Sequence, residues 1–255
     1  MFNICELYDY VYKEFKIKLS AYKENQMHRR IEFFISKTNA RTIKEFIASC
    51  EKDPILKNQF LDLITINVTE FFRNKDLFFQ LTDIIQNDLP KKDVYSIWNS
   101  ACSNGSEPYS VAMLFEEMNL NYKILATDID NKILDYAKRG CYTEDEIIDI
   151  PIPYLSKYFD NYNSKYTIKN FIANKIIFKR HDLILDDFPS TFDLILCRNV
   201  VIYFKKEEKM KIYNKFYNSL KPKGIIFIGA TENIYDYQQI GFTKLGTFFY
   251  QKVVK

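Results

Sequence analysis

The hydrophobic rhythm of the sequence changes near residue 89, and this change limits the possible folds more than any other feature. Residues 1–88 contain no glycine and one proline, Pro54, and their apolar residues recur at intervals of three and four positions. That spacing is typical of helices. After the charged segment 89–92, short apolar runs alternate with helical patterns, which predicts a mostly parallel sheet covered on both faces. We therefore predict an all-α domain with a linker over residues 1–88 and an α/β domain over residues 89–255.

The α/β half divides into short segments of defined type. We expect strands at 94–98, 122–127, 192–197 and 224–230, and helices at 107–118, 131–139 and 206–220. The final residues 242–253 resemble a hairpin, which would add an antiparallel edge to the sheet. Residues 154–182 break the alternation, because their runs at 157–160, 165–168 and 176–179 are aromatic or β-branched with polar connections. We interpret them as a small antiparallel insertion.

Glycine and histidine are scarce, with six and two residues respectively. Dinucleotide fingerprints and P-loops need closely spaced glycines, and none of the six has that spacing. The nearest case, Gly241 to Gly246, is followed by Thr247 where a P-loop has lysine. His28 and His181 lie too far apart in the sequence to indicate a histidine-rich metal centre. This composition excludes a P-loop NTPase, disfavours a Rossmann dehydrogenase and predicts no metal site.

Cysteine usage and charge indicate a cytoplasmic protein. The five cysteines are widely spaced and odd in number, without a C-x-x-C pair, which is typical of reduced thiols. Charges appear too early for a secretory signal, and no apolar run approaches the ~20 residues of a membrane span. A net charge of +3 is too small to indicate nucleic acid. We expect no membrane insertion and no nucleic-acid partner.

Small and polar residues follow three of the expected strands. The first loop, residues 100–108, contains Gly105 and leads into a helix whose first turn holds Glu107. Asp128 ends the second strand, and residues 197–199 end a later one. Ligands of open α/β sheets bind beyond the carboxyl ends of the strands. The three loops are therefore predicted to form one ligand site.

The chemistry of these loops favours a cationic nucleoside over a nucleotide. A single glycine and an acid in the first helical turn would not attract pyrophosphate. Asp128 can accept both hydroxyls of a ribose, and Glu107 can pair with an amine. S-adenosylmethionine carries both groups. Each signal alone also has a structural interpretation, in which the loop only connects two elements, Asp128 caps a helix and Arg198 is a surface charge.

Six strings, in order along the chain, occupy residues 67–73, 98–110, 126–130, 192–204, 220–224 and 229–232. Together they resemble the CheR family, the chemotaxis protein-glutamate O-methyltransferases, over nearly the whole chain. The string Cys-Arg-Asn-Val-x-Ile-Tyr-Phe at 197–204 is the most specific. The resemblance implies an α/β fold of the class I S-adenosylmethionine-dependent methyltransferase (Rossmann-like) type. An N-terminal all-α domain and a small antiparallel β-subdomain insertion, about residues 154–182, would accompany it.

The resemblance also implies the residues that bind S-adenosylmethionine and its product S-adenosylhomocysteine. Carried over by position, with Gly105 of the first loop, they are Asn67, Thr69, Arg73, Glu107, Asp128, Asn199 and Val200. The family usually has two acids before Pro-Tyr-Ser, whereas here Ser106 precedes Glu107. We expect weaker electrostatic attraction in this loop, with the site retained.

The reaction implied by the resemblance is methyl transfer to glutamate side chains in the cytoplasmic domain of a chemoreceptor. An unperturbed glutamate has a pKa of about 4.3, so its carboxylate is already a nucleophile near neutral pH. No general base is needed, which fits the scarcity of histidine. Arg198 and Tyr203, beside the third loop, are candidates for orienting the incoming carboxylate. We expect a monomer.

Residues 26–37 predict an amphipathic helix with Arg29, Arg30 and Lys37 on the side opposite its apolar stripe. The ordinary explanation is a solvated helix face. A docking surface for an acidic partner is the alternative, and the outward Phe33 favours it. In the family, the corresponding domain faces the acidic helical methylation region of the receptor, which gives these cations a predicted role.

Two other functions fit the same loops. A methyltransferase could act on another substrate, although an enzyme that methylates nucleic-acid amines would carry Asp/Asn-Pro-Pro-aromatic where this chain has Asn199-Val-Val-Ile-Tyr. A small-molecule enzyme would not need the basic helix. A catalytically silent regulator that binds S-adenosylmethionine would have the same cofactor loops. Transfer of labelled methyl to a receptor fragment separates the three.

Overall fold

Residues 4–253 are described by the computed structural model, and contacts divide the chain into two units. The first comprises the residues up to Asn67 together with Tyr203–Met210, and the second comprises Val68–Ile202 with the residues from Lys211 onward. The boundary predicted at residue 88 stays a prediction. In the structure the helix Lys75–Asn87 belongs to the second unit, because its apolar face is buried in the core beside the sheet.

Helices build the first unit. They are α1 (Ile4–Phe15), α2 (Glu24–Ile35), α3 (Ile43–Lys52) and α4 (Pro54–Thr65), with a 3₁₀ turn at Leu19–Ala21. Asp53 caps α4, since its carboxylate accepts hydrogen bonds from the backbone N–H groups of Ile55 and Leu56. Phe46 and Phe60 are fully buried and pack edge to face in the core of the unit.

A segment from far along the chain completes this helical unit. Tyr22 and Phe204 form an antiparallel bridge, and their ring centroids lie 4.9 Å apart. The backbone N–H of Lys23 donates to the carbonyl oxygen of Tyr203 at 2.8 Å. Phe204 is buried. The first unit is therefore discontinuous in sequence.

Alternating strands and helices make up the rest of the chain. Its helices are α5 (Lys75–Asn87), α6 (Ser106–Glu117), α7 (Asn131–Arg139), α8 (Ile152–Tyr158), α9 (Asn170–Ala173), α10 (Lys206–Ser219) and α11 (Tyr237–Ile240). Its strands are β1 (Tyr95–Asn99), β2 (Tyr122–Asp128), β3 (Cys141–Tyr142), β4 (Phe159–Tyr162), β5 (Lys165–Ile168), β6 (Ile176–Arg180), β7 (Phe192–Cys197), β8 (Leu220–Ile228), β9 (Phe242–Gly246) and β10 (Phe249–Lys252).

The main sheet has seven strands in the order β6-β2-β1-β7-β8-β10-β9. Neighbouring strands run parallel except for β10, which is antiparallel to both β8 and β9. The predicted hairpin at 242–253 is thus confirmed. Strand order reverses between β1 and β7, so the carboxyl ends of β1, β2, β6 and β7 meet at one edge, beside the position where ligands of such sheets bind.

The small antiparallel sheet differs in membership from the predicted insertion. Its order is β3-β5-β4, so its third strand is Cys141–Tyr142. The run Ile176–Arg180, which the sequence places in the insertion, instead pairs in parallel with β2. Burial alternates along Ile176–Arg180 because it is an edge strand with one exposed face. Such alternation has the same pattern as a strand of a half-exposed antiparallel sheet.

The predicted fold class is confirmed, since an all-α unit accompanies an α/β unit with a separate small antiparallel sheet. The central strand β7 is buried at every residue, as expected for a parallel strand covered on both faces. Helix α6 is buried over its first ten residues. This packing fixes the first residues of α6 against the edge where β1 and β7 end.

Candidate active site

The loop between β1 and α6 turns sharply at Gly105. Its φ of +91° lies in the left-handed region, and a Cβ there would be 3.0 Å from both the Cβ of Ala137 and the hydroxyl of Tyr142. Only glycine fits this turn without strain. The side-chain oxygen of Asn104 accepts hydrogen bonds from the backbone N–H (3.0 Å) and the hydroxyl (2.6 Å) of Ser106. Ser106 is the residue for which the sequence resemblance implies an acid.

Asp128 ends β2 and faces this loop. One carboxylate oxygen accepts a hydrogen bond from the backbone N–H of Ser103 at 2.8 Å, and the other accepts from that of Asp130 at 3.2 Å. Burial raises the pKa of the Asp128 carboxyl to about 6, although the backbone N–H groups of Ser103, Asp130 and Ile129 oppose the shift. A carboxylate has about four acceptor sites, so Asp128 can still accept from a ribose hydroxyl.

Glu107, in the first turn of α6, is paired with Arg198 at the end of β7. The Nη1 atom of Arg198 lies 2.6 Å from one carboxylate oxygen of Glu107, and the amide of Asn99 donates to the other at 2.8 Å. Glu107 is 8% exposed. The carboxylate is therefore held by two donors while some of its surface stays accessible to a cationic ligand.

Arg198 does not have the place expected of a substrate-orienting side chain. Its side chain is 1% exposed, and its Nη2 atom donates to the carbonyl oxygen of Arg73 at 2.8 Å and to the side-chain oxygen of Asn74 at 3.1 Å. The guanidinium lies 5.4 Å from the ring centroid of Phe78 and 4.5 Å from that of Phe227. A group buried in this way cannot meet an incoming carboxylate, so the structure argues against the expected role.

The third loop is fixed by Glu232. One of its carboxylate oxygens accepts hydrogen bonds from the backbone N–H groups of Asn199 at 3.0 Å and Gly229 at 2.6 Å. Asn199 has a φ of +58°, a left-handed conformation that asparagine tolerates better than most residues. Val200 follows it, half buried. Glu232 therefore holds the backbone that presents the two predicted cofactor contacts, a role the sequence strings did not reveal.

The segment before α5 supplies the remaining predicted cofactor contacts. Thr69 and Arg73 are half buried in the second unit, and the Arg73 guanidinium donates to the carbonyl oxygen of Val68 at 3.3 Å. Asn67 belongs to the first unit, where its amide donates to the hydroxyl of Thr65 at 3.2 Å. The structure thus brings Gly105, Glu107, Asp128, Asn199, Val200, Thr69 and Arg73 into one unit, while Asn67 is grouped with the other.

Tyr203 and the predicted basic face lie in the first unit. Tyr203 lines a shallow surface depression together with Lys23, Gln26 and Arg30, which lie at the start of α2 or within it. Arg30 is half buried and donates to the carbonyl oxygen of Leu63 at 2.8 Å. Its guanidinium therefore holds α2 to α4, which differs from the predicted place on a free face.

Arg29 and Lys37 are exposed as predicted. The Lys37 ammonium lies 4.1 Å from the ring centroid of Phe33, whose side chain is 61% exposed. This cation–π contact covers part of an outward aromatic ring. Helix α2 ends at Ile35, so the basic face consists of Arg29 and Phe33 on α2 and Lys37 in the turn that follows.

Sequence reasoning missed the carboxyl end of β6, because it placed that strand in the insertion. His181 follows β6, and its backbone N–H donates to the carbonyl oxygen of Asp128 at 2.9 Å. Asp182 comes next, and one of its carboxylate oxygens is buried without a partner in the described residues. Burial raises the pKa of the Asp182 carboxyl. The register of β6 beside β2 is the signal that identifies this residue.

Further buried polar atoms near these loops lack partners within residues 4–253. They are the side-chain oxygen of Asn99 and the hydroxyl of Ser103. Buried polar groups are normally hydrogen-bonded, so such a group of atoms indicates a polar ligand. Glu107 is a carboxylate suited to an amine, and Asp128 is one suited to ribose hydroxyls. Together they fit S-adenosylmethionine, which has both groups and no phosphate.

No three His, Cys, Asp or Glu side chains within the described part of the chain are grouped so that they could hold a metal ion. None of the helices between residues 4 and 253 is long and apolar enough to cross a membrane.

Comparison with known proteins agrees with this chemistry. Residues 67–249 match the family model of the CheR methyltransferase, SAM binding domain, and residues 4–65 match that of the CheR methyltransferase, all-alpha domain. The chain is 38% identical to a chemotaxis protein methyltransferase of Listeria monocytogenes, over 96% of this chain and 97% of the relative. Relatives of the same description are 37% identical in Listeria innocua, over 96% and 97%, and 34% identical in Borreliella burgdorferi, over 91% and 88%.

Proposed function

Because the chain belongs to the CheR methyltransferase family, we propose that it transfers the methyl group of S-adenosylmethionine to glutamate side chains of chemoreceptors. The matching family model is described as a SAM binding domain, and the relatives are described as chemotaxis protein methyltransferases, which supports this cofactor and this type of reaction. The observation that best supports the cofactor site is the pair of buried carboxylates, Asp128 and Glu107, at the edge where the strand order reverses.

The cofactor, when bound, supplies an electrophilic methyl group on a positively charged sulfur. In the proposed site Asp128 accepts from the ribose hydroxyls, Glu107 pairs with the amine, and Asp182 with its free oxygen is suited to an amino group of the base. Asn199, Val200, Thr69 and Arg73 complete the contacts that the family position implies.

The proposed reaction needs no proton transfer. An ionised glutamate oxygen forms a bond to the methyl carbon as the bond from carbon to sulfur breaks, and the electron pair of that bond stays on sulfur. The protein's contribution is to align the two groups and exclude water. His181 is buried against Trp98, and burial lowers its pKa, so it is ill-suited to act as a base at this site.

The basic face of α2 supports an acidic protein substrate. Arg29 on α2 and Lys37 in the turn after α2 are exposed cations, and the Lys37 ammonium lies beside the outward ring of Phe33. Long side chains of this kind attract and orient an acidic helix before close contact forms. We propose that this face meets the acidic methylation region of the receptor's cytoplasmic domain and that the enzyme acts there, in the cytoplasm, as a monomer.

The test is transfer of labelled methyl from S-adenosylmethionine to a purified receptor cytoplasmic fragment, with S-adenosylhomocysteine titration in parallel. We expect label that is released by alkali, as a glutamate ester would be, and no label on a fragment whose acceptor glutamates are changed to alanine. Binding without transfer would favour the silent regulator. Alkali-stable label, or label only on another class of substrate, would favour a different methyltransferase.

A further inference from the structure

We propose that Arg198 is a positioning residue that couples the carboxylate of Glu107 to the turn formed by residues 72–74. Binding of the cofactor at Glu107 and ordering of this turn would then stabilise each other. The inference rests on the proposed function, since it assigns the cofactor amine to Glu107. It concerns a side chain that contacts neither the cofactor nor the substrate.

The contacts of Arg198 join two parts of the site. Its Nη1 atom binds Glu107 at 2.6 Å, while its Nη2 atom binds the carbonyl oxygen of Arg73 at 2.8 Å and the side-chain oxygen of Asn74 at 3.1 Å. A guanidinium is a rigid planar fork. The position of Glu107 therefore fixes where the turn can be held.

Arg198 has little freedom to adapt if either partner moves. Phe78 and Phe227 contact its guanidinium at 5.4 and 4.5 Å, and its side chain is 1% exposed. Its Nε atom is buried and has no partner in the described residues, so Arg198 binds Glu107, Arg73 and Asn74 through its two terminal nitrogens. Charged hydrogen bonds that are shielded from water are the strong ones.

The turn that Arg198 holds has an unfavourable backbone. Phe72 and Asn74 have φ angles of +52° and +62°, and a bulky residue such as phenylalanine rarely adopts this region. The hydroxyl of Ser110 on α6 accepts the backbone N–H of Phe72 at 2.9 Å. Strained conformations persist only where surrounding contacts impose them. Arg198 and Ser110 supply two of those contacts, and both depend on the position of α6 or its first turn.

The turn carries Arg73, a predicted cofactor contact, directly between the two strained residues. A cofactor that draws Glu107 into place therefore favours the arrangement that presents Arg73. Coupling between two sites is reciprocal in free energy, so ordering of the turn also raises affinity at Glu107.

The test measures hydrogen exchange of the amides of residues 68–74 and 103–107, with and without saturating S-adenosylhomocysteine, together with the affinity. In the wild-type protein we expect the ligand to slow exchange in both segments. In Arg198→Lys, a single ammonium cannot hold both partners, so affinity is expected to fall by about tenfold to a hundredfold, as for loss of a charged hydrogen bond. At saturation, residues 103–107 are expected to become protected while residues 68–74 exchange as in the free protein.

A second variant leaves the Arg198 side chain in place. Asn74→Gly removes one acceptor of Arg198 and keeps a residue that adopts positive φ readily. We expect reduced protection of residues 68–74 and an affinity loss smaller than that of Arg198→Lys. The matched control is Lys221→Met, which removes a 2.8 Å ion pair to Asp193 at the opposite end of β7. It is expected to lower the melting temperature without altering affinity or the exchange response.

Wild-type affinity in Arg198→Lys, or full ligand protection of residues 68–74 in both variants, would overturn the inference. If Lys221→Met lowers affinity as much as Arg198→Lys, the role of Arg198 is only structural. Failure of the wild-type protein to bind S-adenosylhomocysteine would instead overturn the proposed function, so the two failures are distinct.

Discussion

Asp128 illustrates how much a single buried carboxylate determines in this site. Its pKa is raised to about 6 by burial, against the opposing effect of three backbone N–H groups. Ribose hydroxyls donate to the ionised carboxylate more strongly than to the neutral acid. Ligand binding and proton binding at Asp128 therefore compete.

We expect the affinity for S-adenosylhomocysteine to fall by about tenfold between pH 7.5 and pH 5, because the free protein takes up a proton at Asp128 in that interval. Calorimetric titration at several pH values measures this. In Asp128→Asn the affinity should be low at pH 7.5 and nearly constant over the range. An equal pH dependence in the variant would assign the effect to another group, such as the neighbouring His181.

Position 229 has no room for a side chain. A Cβ there would lie 2.7 Å from the carboxylate of Glu232 and 2.8 Å from the backbone nitrogen of Asn199, so glycine is required. We predict that Gly229→Ala lowers the free energy of unfolding by about 1–3 kcal/mol and weakens binding of S-adenosylhomocysteine, because Asn199 must shift.

Urea unfolding and ligand titration check this, with Gly246→Ala as the matched control. The nearest atom to a Cβ at Gly246 is a ring carbon of Phe249 at 3.3 Å, so we expect a loss below about 1 kcal/mol and unchanged affinity. Similar effects in the two variants would contradict the prediction.

Single residues were predictable where a motif or a strand end defined them. Glu107 and Asp128 follow strands in the sequence, and both lie at the expected edge. The pairing of Glu107 with Arg198 was not predictable, because the two are 91 positions apart and only the parallel pairing of β1 with β7 brings their loops together. The result also alters the electrostatic interpretation, since the charge of Glu107 is partly offset by a buried cation.

At the scale of elements, α2 and the turn after it present a basic and aromatic face of Arg29, Phe33 and Lys37. We predict that Arg29→Glu raises the KM for the receptor fragment by about tenfold at low salt, and less at high salt, while the affinity for S-adenosylhomocysteine stays unchanged. Glu32→Lys on the same helix is the control and should lower KM. Methylation rates over a range of fragment and salt concentrations would measure the KM of both variants. A change of KM in the same direction for both variants would contradict charge-based docking.

Arg30 is unsuitable for this test although the sequence predicts it on the same face. Its hydrogen bond to the carbonyl oxygen of Leu63 means that a charge reversal would disturb packing of α2 against α4. Helical periodicity located the face correctly, but it cannot reveal that a long side chain bends back to a neighbouring helix.

For the strands, the sequence predicted most segments but not every pairing partner. Most segments of the main sheet were predictable from their apolar runs, because their length and flanking loops are distinctive. The partner of β6 was not, since an edge strand beside β2 and a strand of a small antiparallel sheet share one burial pattern. Pairing depends on tertiary contacts that a run of five residues does not encode.

At the scale of the whole molecule, the first unit depends on Tyr203–Met210. We predict that a fragment of residues 1–67 melts about 5–10 °C lower than the same fragment joined by a linker to residues 203–210. Burial of the Phe204 ring is expected to add about 1–2 kcal/mol to the free energy of unfolding of this small unit. Circular dichroism measures the transition. Phe204→Ala in the joined fragment should lower its melting temperature to that of the short fragment. Equal melting temperatures of the short fragment, the joined fragment and this variant would contradict the prediction.

This discontinuity bears on how the protein emerges from the ribosome. The 136 residues from Val68 through Tyr203 take roughly 7–27 s to synthesise at the usual rate of elongation. Throughout that interval the nascent helices lack the strand-like segment that covers Tyr22. The N-terminal unit therefore cannot complete its packing before most of the second unit has been synthesised.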